Sequence, residues 1–221
     1  MTPDLSKVKG IIFDMDGVLF SSGDCHEEAF RQTFESAGIK NFSYKEIAGM
    51  RTDEAIKKVF VDCGRTLRES EVEALVASKQ KKVRELLAEK GSIMDGCVSV
   101  INALQGKYRI LLASSASRGT IDIFFRKSGL KSSFEVSLDG ASVDRAKPAP
   151  DIYLLALRIL HLEPDQCVVI EDSINGMRAA MVAGIPVIAF VRSGECSMFS
   201  LLSPFRPVAV ISKLADIQQY L

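Results

Sequence analysis

From Gly10 the chain reads GIIF followed by an acid, an unbroken apolar run too short for a helix and without the alternation of a half-exposed strand. The same form returns as RILLA from Arg109, QCVVI from Gln166, PVIAFV from Pro186 and PVAVI from Pro207. A more polar copy, FEVSL, starts at Phe134. Such runs suit parallel strands buried on both faces. Helix-period stretches lie between them. Arg118 to Ser128 sets Ile121, Phe124 and Phe125 on one face and stops at Gly129. Asp151 to Leu160 does the same with Ile152, Leu155, Ala156 and Ile159, and Ile174 to Ala183 ends at Gly184. Strands alternating with helices predict an α/β fold built on an open parallel sheet.

Between about Asp24 and Lys90 the alternation stops and only helices are expected. Ala29, Phe30, Thr33, Phe34 and Ala37 form one stripe, and Ala55, Ile56, Val59 and Phe60 a second. The third comprises Val72, Leu75, Val76, Val83, Leu86 and Leu87, with Ser70 and Glu73 spaced as a capping box before it and Gly91 as its stop. The chain therefore divides into an α/β core of residues 1–21 and 94–221 and a helical unit, 22–93, inserted after the first strand and placed over the open end of the sheet.

Composition narrows the partners. The 221 residues are 47% hydrophobic and 25% charged, with 28 basic and 28 acidic side chains. That balance lacks the basic field of a nucleic-acid binder and points to a small-molecule partner. No apolar run approaches the roughly 20 residues of a membrane span, and MTPDLSKVKGIIFD lacks the apolar segment of a secretory signal, so a cytoplasmic protein with no membrane partner is expected. Cys25, Cys63, Cys97, Cys167 and Cys196 are scattered, which suggests neither a disulfide framework nor a zinc site. His26-Glu27-Glu28 opens like a zinc motif, but Phe30 stands where the second histidine belongs.

Ligands of open α/β sheets bind beyond the carboxyl ends of the strands. The residues there are Asp14 and Asp16, Ser114 and Ser115, and Glu171 and Asp172, with Lys147 in AKPAPD just before a helix. Carboxylates, hydroxyls and one lysine suit phosphoryl transfer assisted by Mg²⁺, a hard ion that takes oxygen ligands. One carboxylate can attack phosphorus while a second moves the proton, and an i, i+2 pair in extended chain points both the same way. Each piece alone has a commonplace explanation: a loop D-x-D-G, a serine cap, a solvated lysine, acids at a helix start. Their succession at four sites with the right spacing is what points to a site.

FDMDG, LLASS, AKPAPD and IEDSINGMRAAMVAG, in that order, resemble the motifs of the haloacid dehalogenase-like phosphohydrolase superfamily, in its subgroup of β-phosphoglucomutase-like and phosphoglycolate-phosphatase-like proteins with a helical cap. The resemblance implies a Rossmann-like core and a cap. It makes Asp14 the nucleophile and Asp16 the general acid/base. Ser114 and Lys147 would hold the phosphate, with Ser115 beside them. Asp14, Asp16 through its main-chain carbonyl, Glu171 and Asp172 would hold Mg²⁺. An acid at position 16 speaks against a dehalogenase. GMRTDEA resembles the substrate-facing cap loop, where Arg51 would meet a carboxylate or second phosphate. His26 stands where β-phosphoglucomutases carry a hinge histidine, whereas Ala48 and Thr52 replace the mutase's basic residues. The expected activity is a phosphatase acting, as a monomer, on a small phosphorylated sugar or short organic acid. A sugar phosphomutase is the alternative, and a non-catalytic phospholigand-binding regulator a third reading.

Overall fold

Residues 5–191 and 206–221 are described by the computed structural model; Cys196 lies outside them. After a 3-10 turn at Leu5–Lys7 come β1 (Gly10–Phe13) and the two-residue β2 (Phe20–Ser21). Four helices follow: α1 (Gly23–Ser36), α2 (Tyr44–Ile47), α3 (Thr52–Asp62) and α4 (Glu69–Lys90). After β3 (Ser92–Ile93) come α5 (Cys97–Leu104), β4 (Arg109–Ala113), α6 (Arg118–Ser128) and β5 (Val136–Leu138). The remainder is α7 (Asp151–Leu160), β6 (Cys167–Glu171), α8 (Ile174–Val182), β7 (Val187–Phe190) and β8 (Ala209–Ile211).

Six of the strands form one parallel sheet in the order β5-β4-β1-β6-β7-β8. Its central strands are buried on both faces. Ile11, Phe13, Ile110, Leu112, Val168 and Ile170 pack toward α5 and α6, and Ile12, Leu111, Ala113 and Val169 toward α7 and α8. This is why the runs read as unbroken apolar segments. The more polar FEVSL run became β5, a three-residue edge strand.

The insert has a core of its own, in which Phe30, Phe34, Ile47, Ile56 and Phe60 meet, while Val83 and Leu87 of α4 join the sheet's core below. Where the chain enters and leaves the insert, β2 and β3 pair antiparallel, Phe20 opposite Ile93, and clamp the two crossings together. The capping box expected at Ser70 and Glu73 is not the one formed. Arg68 is the N-cap, and the Glu71 carboxylate accepts its backbone N–H at 2.9 Å, which leaves Ser70 inside the first turn. Gly91 does end α4, but not through a left-handed conformation, since its φ is −62°. A Cβ there would lie 2.7 Å from the Phe20 ring, so packing is what requires glycine. Among the described residues no helix is long and apolar enough to cross a membrane.

Candidate active site

Phe13 pairs with Leu112 on one side and Ile170 on the other, so the next residues, Asp14, Ala113 and Glu171, lie level at the carboxyl edge of the sheet. The Asp14 N–H continues the ladder to the Ile170 carbonyl at 3.0 Å. Lys147, from the loop before α7, reaches beneath this edge. Its Nζ donates to Asp14 Oδ1 at 2.7 Å, Glu171 Oε1 at 2.8 Å and the Ala113 carbonyl at 3.0 Å. Lysine and glutamate are both fully buried, so each depends on the other for its charge. Tyr153 of α7 donates to Glu171 Oε1 at 3.2 Å, and the N–H and hydroxyl of Ser173 donate to Oε2 at 2.8 and 3.0 Å. Ser173 in turn caps α8, accepting the Gly176 N–H at 3.1 Å. A Cβ on Gly176 would fall 1.5 Å from Glu171 Oε1, so the glycine makes the space that the carboxylate fills.

Asp172 follows Glu171 and packs on Gly17, whose φ of +84° turns the chain directly after Asp16. A Cβ there would lie 1.8 Å from Asp172 Oδ2. Asp14, Glu171 and Asp172 can each place an oxygen within 4.8 Å of the others. Burial pushes the Asp14 carboxyl well above its ordinary value in spite of Lys147, and burial with the charges of Glu171, Asp14 and Asp16 does the same to Asp172. A cation among three hard oxygen donors would relieve both, so the residues fit Mg²⁺.

Asp16 sits in a different setting. Its Oδ1 accepts the Ser22 hydroxyl at 2.6 Å, and its Oδ2 lies 3.4 Å from the Ser114 hydroxyl oxygen. Burial alone would raise this carboxyl, but His26, Ser22 and Lys79 outweigh it and hold Asp16 below its ordinary value. Two carboxylates two residues apart thus have their proton affinities driven in opposite directions, which separates their chemical roles. His26 Nε2 lies 3.4 Å from Asp16 Oδ1 yet makes no hydrogen bond, while Nδ1 is 3.0 Å from Lys79 Nζ. With Lys79 charged, Nδ1 must be the acceptor, so the ring carries its proton on Nε2 and faces it to Asp16. Burial and Lys79 push His26 below its usual value, while Asp16 opposes them.

These groups open into a chamber of about 970 Å³ between sheet edge and insert. The loop from Ala48 to Arg51, between α2 and α3, closes one side of it and is pinned to the core at three points. Ser115 donates to the Gly49 carbonyl at 2.7 Å, and Asn175 to the Ala48 carbonyl at 2.9 Å. Arg51 donates to the carbonyls of Val143 at 3.0 Å and Gly140 at 3.3 Å, its remaining nitrogens lying on Asp53. Asp14, Asp16, Ser114, Lys147, Glu171 and Asp172 therefore converge. His26 and Ser115 line the chamber, and Arg51 turns away to the core. Lys79, Tyr153 and Ser173 escaped the sequence reading. Lys79 had a signal, since it falls on the same helical stripe as Val72, Val76 and Val83 and so had to be buried.

The family profile for haloacid dehalogenase-like hydrolases matches residues 8–184. The protein CbbY of Rhodobacter capsulatus is 30% identical over 192 residues, which cover 82% of this chain and 85% of that one. The phosphorylated carbohydrates phosphatase of Thermotoga maritima is 31% identical over 182 residues, 80% of this chain and 82% of its own. In three dimensions the chain superposes on CbbY of Rhodobacter sphaeroides in complex with xylulose-(1,5)bisphosphate. The TM-score is 0.79 at 26% identity, over 95% of this chain and 96% of the other.

Proposed function

Because the chain belongs to the haloacid dehalogenase-like hydrolase family, we propose that it is a Mg²⁺-dependent phosphatase of a small phosphorylated metabolite, a sugar or short organic acid, working through an aspartyl phosphate on Asp14. The observation that carries this is the contrast between the two aspartates at the end of β1. Asp14 lies in the carboxylate cluster against Lys147, and Asp16 stands apart, held anionic by Ser22 and its neighbours. The relatives that act on phosphorylated carbohydrates support the substrate class.

In the first step Asp14 forms a bond to phosphorus as the bond to the leaving oxygen breaks, and Asp16 gives that oxygen a proton. Bringing a phosphate dianion beside Asp16 raises its proton affinity, so an aspartate that is anionic at rest becomes the acid in the complex. In the second step Asp16 takes a proton from water as the water oxygen attacks phosphorus, which releases phosphate and restores Asp14. Lys147 and Ser114 offset charge on the transferring group. Asp14, Glu171, Asp172 and the main-chain carbonyl of Asp16 would hold Mg²⁺, which neutralises phosphoryl oxygens when bound. The insert, 22–93, acts as a cap on the core of 1–21 and 94–221, and one chain supplies every group required.

Phosphate release from a panel of sugar and organic-acid phosphates, with and without Mg²⁺, tests this. Asp14→Asn should lower turnover by about 10³-fold or more while circular dichroism stays native. Comparable turnover in that variant would remove Asp14 as nucleophile.

A further inference from the structure

Resting on the phosphatase reading above, we infer from the chamber that the substrate carries a single phosphate on an uncharged alcohol, whose apolar face lies on the Phe42–Tyr44 wall of the insert. That wall, with Ile47 and Met50, lines the same chamber as Asp14, Asp16 and Asp172, and Gln80 and Thr120 supply hydrogen-bonding groups. Aromatic and aliphatic walls with a few polar groups suit a neutral ligand that has both a CH face and hydroxyls.

Among the described residues the chamber wall carries Asp14, Asp16, Asp24, Glu27 and Asp172 against Lys45 and Lys79, a surplus of acids that opposes a second anion. Lys79 is 2% exposed, bonded to His26 and 4.3 Å over the Phe30 ring, so it is spent. Lys45 is exposed and shares the chamber wall with Asp24 and Glu27. Arg51 is the side chain that could have met a distal anion. Met50 and Thr52, on either side of it, face the chamber, but its guanidinium is held by Asp53 and by the Gly140 and Val143 carbonyls. Burial and the charges of Asp16, Asp172, Glu27 and Asp24 raise the Tyr44 hydroxyl far above its ordinary value, so it remains a neutral donor in a field that disfavours anions. An unpaired phosphate or carboxylate taken into this space would lose its hydration without replacement. The same deficit counts against a phosphomutase, whose turnover passes through a bisphosphate.

The test is kcat/KM for matched pairs: fructose 1-phosphate against fructose 1,6-bisphosphate, and 2-hydroxyethyl phosphate against phosphoglycolate. Acetyl phosphate, which carries no alcohol hydroxyl and an activated leaving group, reports on the phosphoryl-transfer groups of the core. The neutral member of a pair should exceed its charged partner by about tenfold or more, and Thr52→Arg, which adds a cation to the wall, should narrow the gap. A charged member that equals or surpasses its neutral partner overturns the inference, as does turnover of acetyl phosphate alone. Release from none of the five is the separate failure of the phosphatase reading, and this inference falls with it.

Discussion

Lys79 shows how one buried side chain sets the state of its neighbours. Burial, opposed only weakly by Asp16, lowers it to about 8 from 10.5. Between those values the unfolded chain holds a proton that the folded chain does not, so stability must rise with pH across the window. The expected result is that the stability of the wild type relative to Lys79→Met increases from pH 8 to pH 10 in denaturant titrations. It should be flat below pH 7, and a difference that falls over the window would contradict the assignment. At this scale the sequence was legible wherever a residue's position in a strand decided its neighbours. Asp14 and Glu171 had to be level once their strands were adjacent and parallel. Arg51 was not legible, because a guanidinium beside a cap loop suits a substrate anion as well as a main-chain carbonyl. Only the fold brings Gly140 and Val143 to it, 89 and 92 residues away.

Among the elements, the loop from Ala48 to Arg51 is the one that both closes the chamber and grips the core. Arg51 contributes hydrogen bonds from a charged donor, each worth roughly 1.5–3 kcal/mol where desolvated and less at its partial exposure. Arg51→Ala should open the loop. Hydrogen exchange should quicken across 44–54 and KM should rise several-fold, with the sheet's protection unchanged; exchange that quickens equally in β1 and β6 would mean global loosening instead. The strands were readable from their apolar runs, and α6 and α7 from their stripes and stops. The β2–β3 clamp was not, since two-residue strands carry no period. Helix α5 could have been found, because Cys97, Val100, Ile101 and Leu104 repeat at i, i+3, i+4 and i+7 and are all buried. The start of α4 turned on a single choice of acceptor, Glu71 rather than Glu73, which local spacing leaves open.

For the molecule as a whole, the carboxylate cluster is a cost that a bound cation would offset. Asp14 and Asp172 both hold protons more tightly than free carboxyls because they share a buried space with Glu171. An ion that binds the folded chain alone stabilises it by RT ln(1 + [L]/Kd), about 2.7 kcal/mol at a hundredfold excess over Kd. Mg²⁺ should therefore raise the melting temperature and EDTA should reverse it, with most of the shift lost in Asp172→Asn; an equal shift in that variant would place the ion elsewhere. The central claim is that Asp14 itself becomes phosphorylated, and acid quenching during turnover, followed by borohydride reduction and peptide mass spectrometry, tests it most directly. Homoserine in place of aspartate at position 14, present with substrate and missing without it, is the expected result. Unmodified Asp14 under full turnover, or reduction at another carboxylate, would contradict it.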